Sequence, residues 1–393
     1  MIQVEKAREL FNEVFHANKR ERALTVYSHG RLEIIGNHTD HNNGFAMVAG
    51  CDLGITARCI KDLGGVVVAS PGFRPFQFNI AELEYKKEEE GSSLAITKGI
   101  LFKMKQLGYE IGGFHAALVS DILPGSGVSS SACFEALIVR IQLAFYNPGV
   151  EMDPLEMAQI CHFAESKYFG KPCGYLDQIG VCYGGMQLVD FEYFSKPKVE
   201  SLSFDLPLTF VLVLPKSSHA ELTAYYAQIP EDMELIADRM FGKRCLRECD
   251  RAEFMSRIAV PLDKVPDRAK LRAQHYFDEN LRVLAAKEAI EKKNTDEFLQ
   301  LLNQSGLSSR TLLCNTMVPG GYQNSPQQAL DLTAPYLHGG AQRVHGGGFA
   351  GGILCVLHKA DVDAFLAAVR PYYGEDRVLP IDVVNGGPRV VSE

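Results

Sequence analysis

The chain has 393 residues, more than a single compact core accommodates, and so points to two domains. Its 46% hydrophobic and 22% charged residues are those of an ordinary globular protein and exclude a disordered, collagenous or coiled-coil chain. A net charge of −8, from 48 acidic against 40 basic residues, argues against a phosphate-backbone footprint and so against nucleic acid as a partner. A local basic pocket for a small phosphorylated molecule stays compatible with it.

Val4, Leu10, Phe11, Val14 and Phe15 recur at helical spacing among charges, which is neither the uninterrupted apolar run nor the cleavage site of a signal peptide. No stretch approaches the apolar length of a membrane span. Ten cysteines are scattered singly without a CxxC pair, as expected of free thiols in a reducing cytoplasm. Short strands are expected at 66–69, 114–119 and 186–189, and helices at 94–107, 130–145 and 154–168. The buried-strand run at 209–215 opens a second half, with helices expected at 230–246, 269–292, 295–304 and 326–336. A glycine-rich loop, a strand at 353–357, a helix at 361–372 and a strand at 377–384 finish it. The pattern is α+β, divided into residues 1–205 and 206–393.

Three glycine-rich segments stand out: Gly30 to Gly44 (GRLEIIGNHTDHNNG), Leu123 to Ala132 (LPGSGVSSSA) and Val344 to Gly352 (VHGGGFAGG). In the second, Gly125 and Gly127 permit a tight turn and close approach of backbone to a ligand. Ser129, Ser130 and Ser131 then open a helix, whose N-terminus suits a phosphate chain. A plain turn with a serine N-cap is the simpler alternative for that segment alone. It is not a Walker loop, because GK[ST] occurs nowhere in the chain. In the third segment Gly346, Gly348 and Gly351 fit GxGxxG, but they precede a strand instead of following one, so a loop packed beside another glycine loop is the better reading. The first segment gathers Arg31, Asn37, His38, Thr39, Asp40, His41, Asn42 and Asn43 between apolar flanks. Burying that many polar groups requires partners, and a polyhydroxylated ligand would supply several. A zinc site at His38, Asp40 and His41 lacks further His or Cys at ligand spacing, and an Asx-rich turn explains only Asn42, Asn43 and Gly44.

Taken in this order, the segments resemble the motifs of the galactokinase family within the GHMP small-molecule kinases: GRxNLIGEHTDYNxG, PxGxGLSSSA and GxGFGG. GKPCGYLDQ, Gly170 to Gln178, is similar to the family's CGxMDQ. The resemblance implies a two-domain α+β fold with the active site in the interdomain cleft. It also implies transfer of the ATP γ-phosphoryl group to the anomeric hydroxyl of galactose, with Mg²⁺ present. By position, Arg31 falls at the arginine that stabilises the transferring phosphoryl group and Asp177 at the catalytic carboxylate. Asn37, His38, Thr39, Asp40, Gly174 and Tyr226 fall at sugar-binding positions. Gly125, Ser126, Gly127, Val128, Ser129, Ser130 and Ser131 fall in the nucleotide loop, and Ser131 and Glu165 at the magnesium ligands.

Several residues depart from the family pattern: His29 for proline, Glu33 for asparagine, Asn37 for glutamate, His41 for tyrosine, His345 for threonine, and Ala350 within the third loop. The segment after His219 lacks the family's paired arginines. A neutral Asn37 removes a charge that would repel a carboxylate at the sugar's C6, so specificity at that carbon is expected to shift or relax. Galacturonate, L-arabinose and N-acetylgalactosamine are therefore alternative substrates. A non-catalytic sensor of sugar and nucleotide is the reading from another class, and it leaves the full set Arg31, Ser131, Glu165 and Asp177 unexplained.

Overall fold

The computed structural model describes residues 2–15, 23–123, 125–171, 173–216, 222–261 and 263–391. Helix α1 (Val4–Phe15) turns Ala7 and Phe11 inward, and Phe11 packs with Ile60 and Ala117. Strands β1 (Leu24–Ile35) and β2 (Phe45–Asp62) then form the long antiparallel pair at the centre of the first sheet. The hairpin β3 (Gly65–Ala69) and β4 (Phe76–Asn79) leads to α2 (Ser93–Gln106) and β5 (Gly113–Ser120). Next come α3 (Ser130–Tyr146), α4 (Pro154–Phe163), α5 (Leu176–Tyr183), and the hairpin β6 (Met186–Asp190) and β7 (Lys198–Leu202).

The second half opens with β8 (Leu208–Val213), followed by α6 (Thr223–Phe241), α7 (Arg251–Arg257), α8 (Asp267–Glu291), α9 (Thr295–Ser308) and α10 (Pro326–Thr333). It closes with β9 (Ala341–Val344), β10 (Ile353–His358), α11 (Val362–Tyr373), β11 (Val378–Ile381) and β12 (Arg389–Val391). The first sheet runs β12-β1-β2-β5-β3-β4, with β6 and then β7 added on β2; the second runs β11-β8-β10-β9. At 18 residues, β2 is long enough to pair with β6 through its first part and β5 through its last, which joins the two wings of the sheet. Helix α3 is apolar nearly all round, from Ala132 through Leu143, and is accordingly a core helix. The largest apolar core continues from the first sheet through Val283, Ala286 and Phe298 to Leu354 and Val356 of β10.

Most expected elements are present, with four differences. The helix expected over 154–168 changes to a π-helix at Ala164–Tyr168. The helix expected from 230 begins at Thr223, with Pro230 inside it, and ends at Phe241 before Gly242, whose φ of 62° closes it. The strand expected over 377–384 is only Val378–Ile381. The chain then returns to the first sheet, where β12 pairs with β1 across the division expected at residue 205. No helix among the described residues is long and apolar enough to cross a membrane.

Candidate active site

Two β-bulges interrupt the β1–β2 register, one between His29 and Arg31 and one between Glu33 and Ile35. Such bulges re-aim side chains, and here they bring Arg31 and Glu33 into the interior. Arg31 keeps only 6% of its surface. Its Nε and Nη2 donate to Oδ1 of Asp177 at 3.0 and 2.7 Å, and its Nη1 donates to the Gly127 carbonyl. Its backbone N–H donates to the Val128 carbonyl at 3.0 Å. This proximity requires glycine at position 30, since a Cβ there would sit 2.6 Å from the same carbonyl oxygen.

Asp177 lies in the first turn of α5, beside the positive end of the helix, with a third of its side chain exposed. Burial pushes its pKa up, but the charge and hydrogen bonds of Arg31, with Ser129 and the charge of Lys171, together outweigh this and hold it below the usual carboxylate range. The segment before it is anchored by His162, which reaches the Cys173 carbonyl at 3.0 Å and stacks on Tyr175.

A cavity of about 310 Å³ opens over this pair. The second glycine segment, from Gly125 to Ser131, forms one wall, and the third, with His345, Gly346 and Gly347, forms another. Lys171 and Tyr226 complete it. Ser129 stands at the N-cap of α3 with φ 59°, and its side chain makes no capping bond. The simple serine cap is therefore not what the loop provides. The two glycine loops do meet, with His345 Nδ1 3.3 Å from where a Cβ on Gly127 would lie.

Glu165 occupies the π-helical turn, a distortion found often at functional sites. The Ser131 hydroxyl donates to its Oε1 at 3.2 Å, Lys171 Nζ donates to the same oxygen at 2.8 Å, and Gln178 Nε2 donates to Oε2 at 2.7 Å. Among the described residues no three His, Cys, Asp or Glu side chains are grouped to hold a metal ion. A hydroxyl and a carboxylate beside a phosphate loop still fit Mg²⁺, which takes few protein oxygens and fills its octahedron with phosphate and water.

The first polar segment is buried differently from its expected reason. The partners of these groups come largely from the protein itself. Asn37, 1% exposed, donates from Nδ2 to Glu33 Oε1 at 2.9 Å and to the Gly346 carbonyl at 2.7 Å. Its Oδ1 accepts from Asn315 at 2.8 Å and Ser309 at 3.3 Å, so its amide capacity is spent. The Thr39 hydroxyl is bound between the Gly36 and Phe45 carbonyls. Asn42 accepts from the Leu246 N–H through its side chain.

His38 and Asp40 are the exceptions. His38, with φ 58°, donates from Nε2 to the Gly347 carbonyl at 2.9 Å, which leaves Nδ1 as a buried acceptor without a protein partner. Burial, reinforced by His41, pushes its pKa down to about 3, so the ring is neutral. Asp40 Oδ2 lies 2.5 Å from where a Cβ on Gly174 would be, and only glycine leaves that oxygen accessible. Tyr226 donates to the Gly348 carbonyl at 2.9 Å. The region around His219 lies outside the described residues.

Comparison with known proteins places this geometry. Residues 9–60 match the galactokinase galactose-binding signature, and residues 95–185 match the GHMP kinases N terminal domain. The chain is 26% identical to the galactokinase of Bacillus subtilis over 96% of its own length and 95% of that protein's. The crystal structure of Lactococcus lactis galactokinase complexed with galactose superposes with a TM-score of 0.82 at 25% identity, covering 99% of this chain and all of the other. The chain belongs to the galactokinase branch of the GHMP kinases. Methanococcus jannaschii mevalonate kinase, at 14% identity and a TM-score of 0.68, shares the fold.

Within this GHMP kinase, three site residues escape the sequence reading. Lys171 stands inside the quoted GKPCGYLDQ segment, and its charge among small residues was the available signal. Arg343, fully buried, pairs with Glu33 at 3.2 Å, and His275 meets the Asn37 carbonyl at 2.9 Å. Both lie hundreds of residues from their partners, and no local pattern reveals them.

Proposed function

We propose that the protein is a galactokinase, transferring the γ-phosphoryl group of ATP to the anomeric hydroxyl of galactose. The observation that supports this most is the Arg31–Asp177 pair, set between a glycine-lined phosphate cavity and the His38–Asp40–Gly174 cluster. In this reading Arg31 neutralises charge that spreads over the transferring phosphoryl oxygens. Both Arg31 bonds fall on Oδ1 of Asp177, which leaves Oδ2 for the sugar hydroxyl. A carboxylate held below its ordinary pKa is a weak base. It therefore takes the proton as the bond from O1 to phosphorus forms and the bond from phosphorus to ADP breaks, when that oxygen has become acidic.

The sugar hydroxyls are met by His38 Nδ1, Asp40, the Gly174 backbone and Tyr226, while Asn37 and Thr39 hold the turn that presents them. The backbone of Gly125 to Ser131 and the start of α3 receive the phosphates. Ser131 and Glu165 would hold Mg²⁺, which would supply neutralisation of the phosphate charge. Residues 1–205 and 206–393 are assigned to the two lobes, with β12 returning to the first. Its ten free cysteines fit a cytoplasmic enzyme.

The test is phosphorylation of galactose, galacturonate, L-arabinose and N-acetylgalactosamine with ATP and Mg²⁺. Turnover of galactose at the highest kcat/KM is the expected result. A higher value for another sugar reassigns the substrate, and binding of sugar and ATP without turnover supports the sensor. Ser131→Ala and Glu165→Ala are expected to raise the magnesium concentration at half activity, and an unchanged requirement in both removes the metal assignment.

A further inference from the structure

Among the described residues, Lys171 carries the one cation lining the cavity that is not committed to a structural role. Its side chain is 52% exposed, against 7% for Arg31, whose guanidinium is already shared between Asp177 and Gly127. Of the three N–H donors on Nζ, the hydrogen bond formed is to Glu165 Oε1 at 2.8 Å. Without Lys171 the Asp177 carboxylate in the cavity wall, with the buried Glu165 carboxylate behind it, would be set against a single guanidinium. Such a balance repels a triphosphate, and no other described side chain lining the cavity carries a positive charge: burial, with Arg31 and Arg343 beside it, pushes the pKa of His345 well down, so that ring is neutral.

We infer that Lys171 is a phosphate-binding residue of this kinase, which pairs with Glu165 in the resting arrangement of the side chains and donates to the terminal phosphate oxygens when ATP binds. The stem is flexible and its ammonium is a compact point charge, so exchange from a carboxylate to a phosphate oxygen across the same cavity needs only rotamer changes. The switch has a second effect, since departure of the ammonium would leave Glu165 Oε1 bonded to the Ser131 hydroxyl and so with acceptor capacity for a cation. The inference rests on the kinase reading above and adds a residue that reading does not require.

The test is calorimetric titration of the full chain with ATP, without galactose, once in EDTA and once with saturating Mg²⁺. Lys171→Met is expected to weaken ATP binding in EDTA by about 10- to 100-fold, the range of a charge-assisted hydrogen bond, and to leave galactose affinity unchanged. Lys171→Arg is expected to recover most of the loss. The decisive variant is Lys171→Met combined with Glu165→Gln. If Lys171 merely neutralises Glu165, removing both charges restores wild-type affinity in EDTA, and that result overturns the inference. If Lys171 contacts phosphate, the double variant stays weak. A wild-type protein that binds ATP while Lys171→Met binds it equally well overturns Lys171 alone. A wild-type protein that binds no ATP even with Mg²⁺ overturns the kinase reading and this inference with it.

Discussion

Around the Arg31–Asp177 pair the charged groups keep surface open to the cavity, a third of the Asp177 side chain and half of Lys171. Around the first polar segment Glu33, Asn37 and Arg343 are only 5%, 1% and 0% exposed, and bond to one another and to the third glycine loop. The difference separates two kinds of polar residue. The first waits for a ligand. The second fastens the halves of the chain together and shapes the site from behind. Most departures from the family motif belong to the second kind. Glu33 bonds Arg343 across the lobes, and its N–H donates to His345; His29 reaches the Gly386 carbonyl at 2.8 Å in the segment that returns to the first sheet.

The largest expected effect is at the open end. Asp177→Asn keeps the shape of the side chain and removes its charge, and kcat is expected to fall by roughly 10²–10⁴ with sugar and ATP affinities little changed. A variant within a few-fold of wild type would remove Asp177 from the chemistry. Arg31→Ala follows, with kcat lower by about 10²–10³ and a smaller change in nucleotide affinity. If galactose KM alone rises, Arg31 belongs to the fastening class and the comparison fails at its centre.

At the closed end the expected loss is of folding. Asn37→Glu replaces an amide donor by a carboxylate facing Glu33 Oε1 and the Gly346 carbonyl, three acceptors with no donor between them. A buried charge so placed is expected to cost about 3–5 kcal/mol in denaturant unfolding. Combining it with Glu33→Asn removes the opposed carboxylate and is expected to recover part of that loss. Additive losses in the cycle would show that positions 33 and 37 do not interact. An Asn37→Glu protein of wild-type stability whose galacturonate selectivity changes would place the side chain in the sugar site after all.

This division also explains what the sequence disclosed. Long helices such as α2, α3 and α8 lie within a residue or two of their expected positions, because their apolar and helix-favouring residues run on well beyond the length of a strand. The β1–β2 pair was not anticipated: its bulges break strict alternation, and both strands are buried along nearly their whole length. The site residues were legible where glycine and polar residues cluster locally, as in Gly125–Ser131. They were illegible where a partner comes from a distant helix. Burial of Asn37 looked like preparation for a ligand because Asn315, Ser309 and Arg343 are invisible from its neighbourhood in the chain.

The smallest effect is a pH dependence that belongs to the closed end. His275 on α8 is fully buried, donates from Nε2 to the Asn37 carbonyl and accepts from the Ser308 hydroxyl at 2.8 Å. Burial pushes its pKa down to about 4, with Arg282 and Arg343 adding to the shift and Glu279 opposing it; His38 lies at about 3. In the unfolded chain both titrate near 6.5. Between pH 6.5 and 4 the unfolded state therefore binds protons that the folded state refuses, and stability falls as pH falls through that window. Each such histidine contributes up to about 1.4 kcal/mol per pH unit. Glu279, beside His275, is held charged: burial alone would raise its pKa, but His275, Arg282 and Arg343 bring it to about 2. Its contribution is complete above the unfolded carboxylate range and fades only below about pH 4.5, so it does not mask the histidines. Unfolding free energies at pH 7.5, 6.5, 5.5 and 5.0 are expected to decline steadily, and His275→Gln is expected to flatten that decline while lowering stability at pH 7.5. A decline of equal slope in the variant would mean that His275 is protonated in the folded protein, and that the turn at Asn37 is not held by a neutral ring.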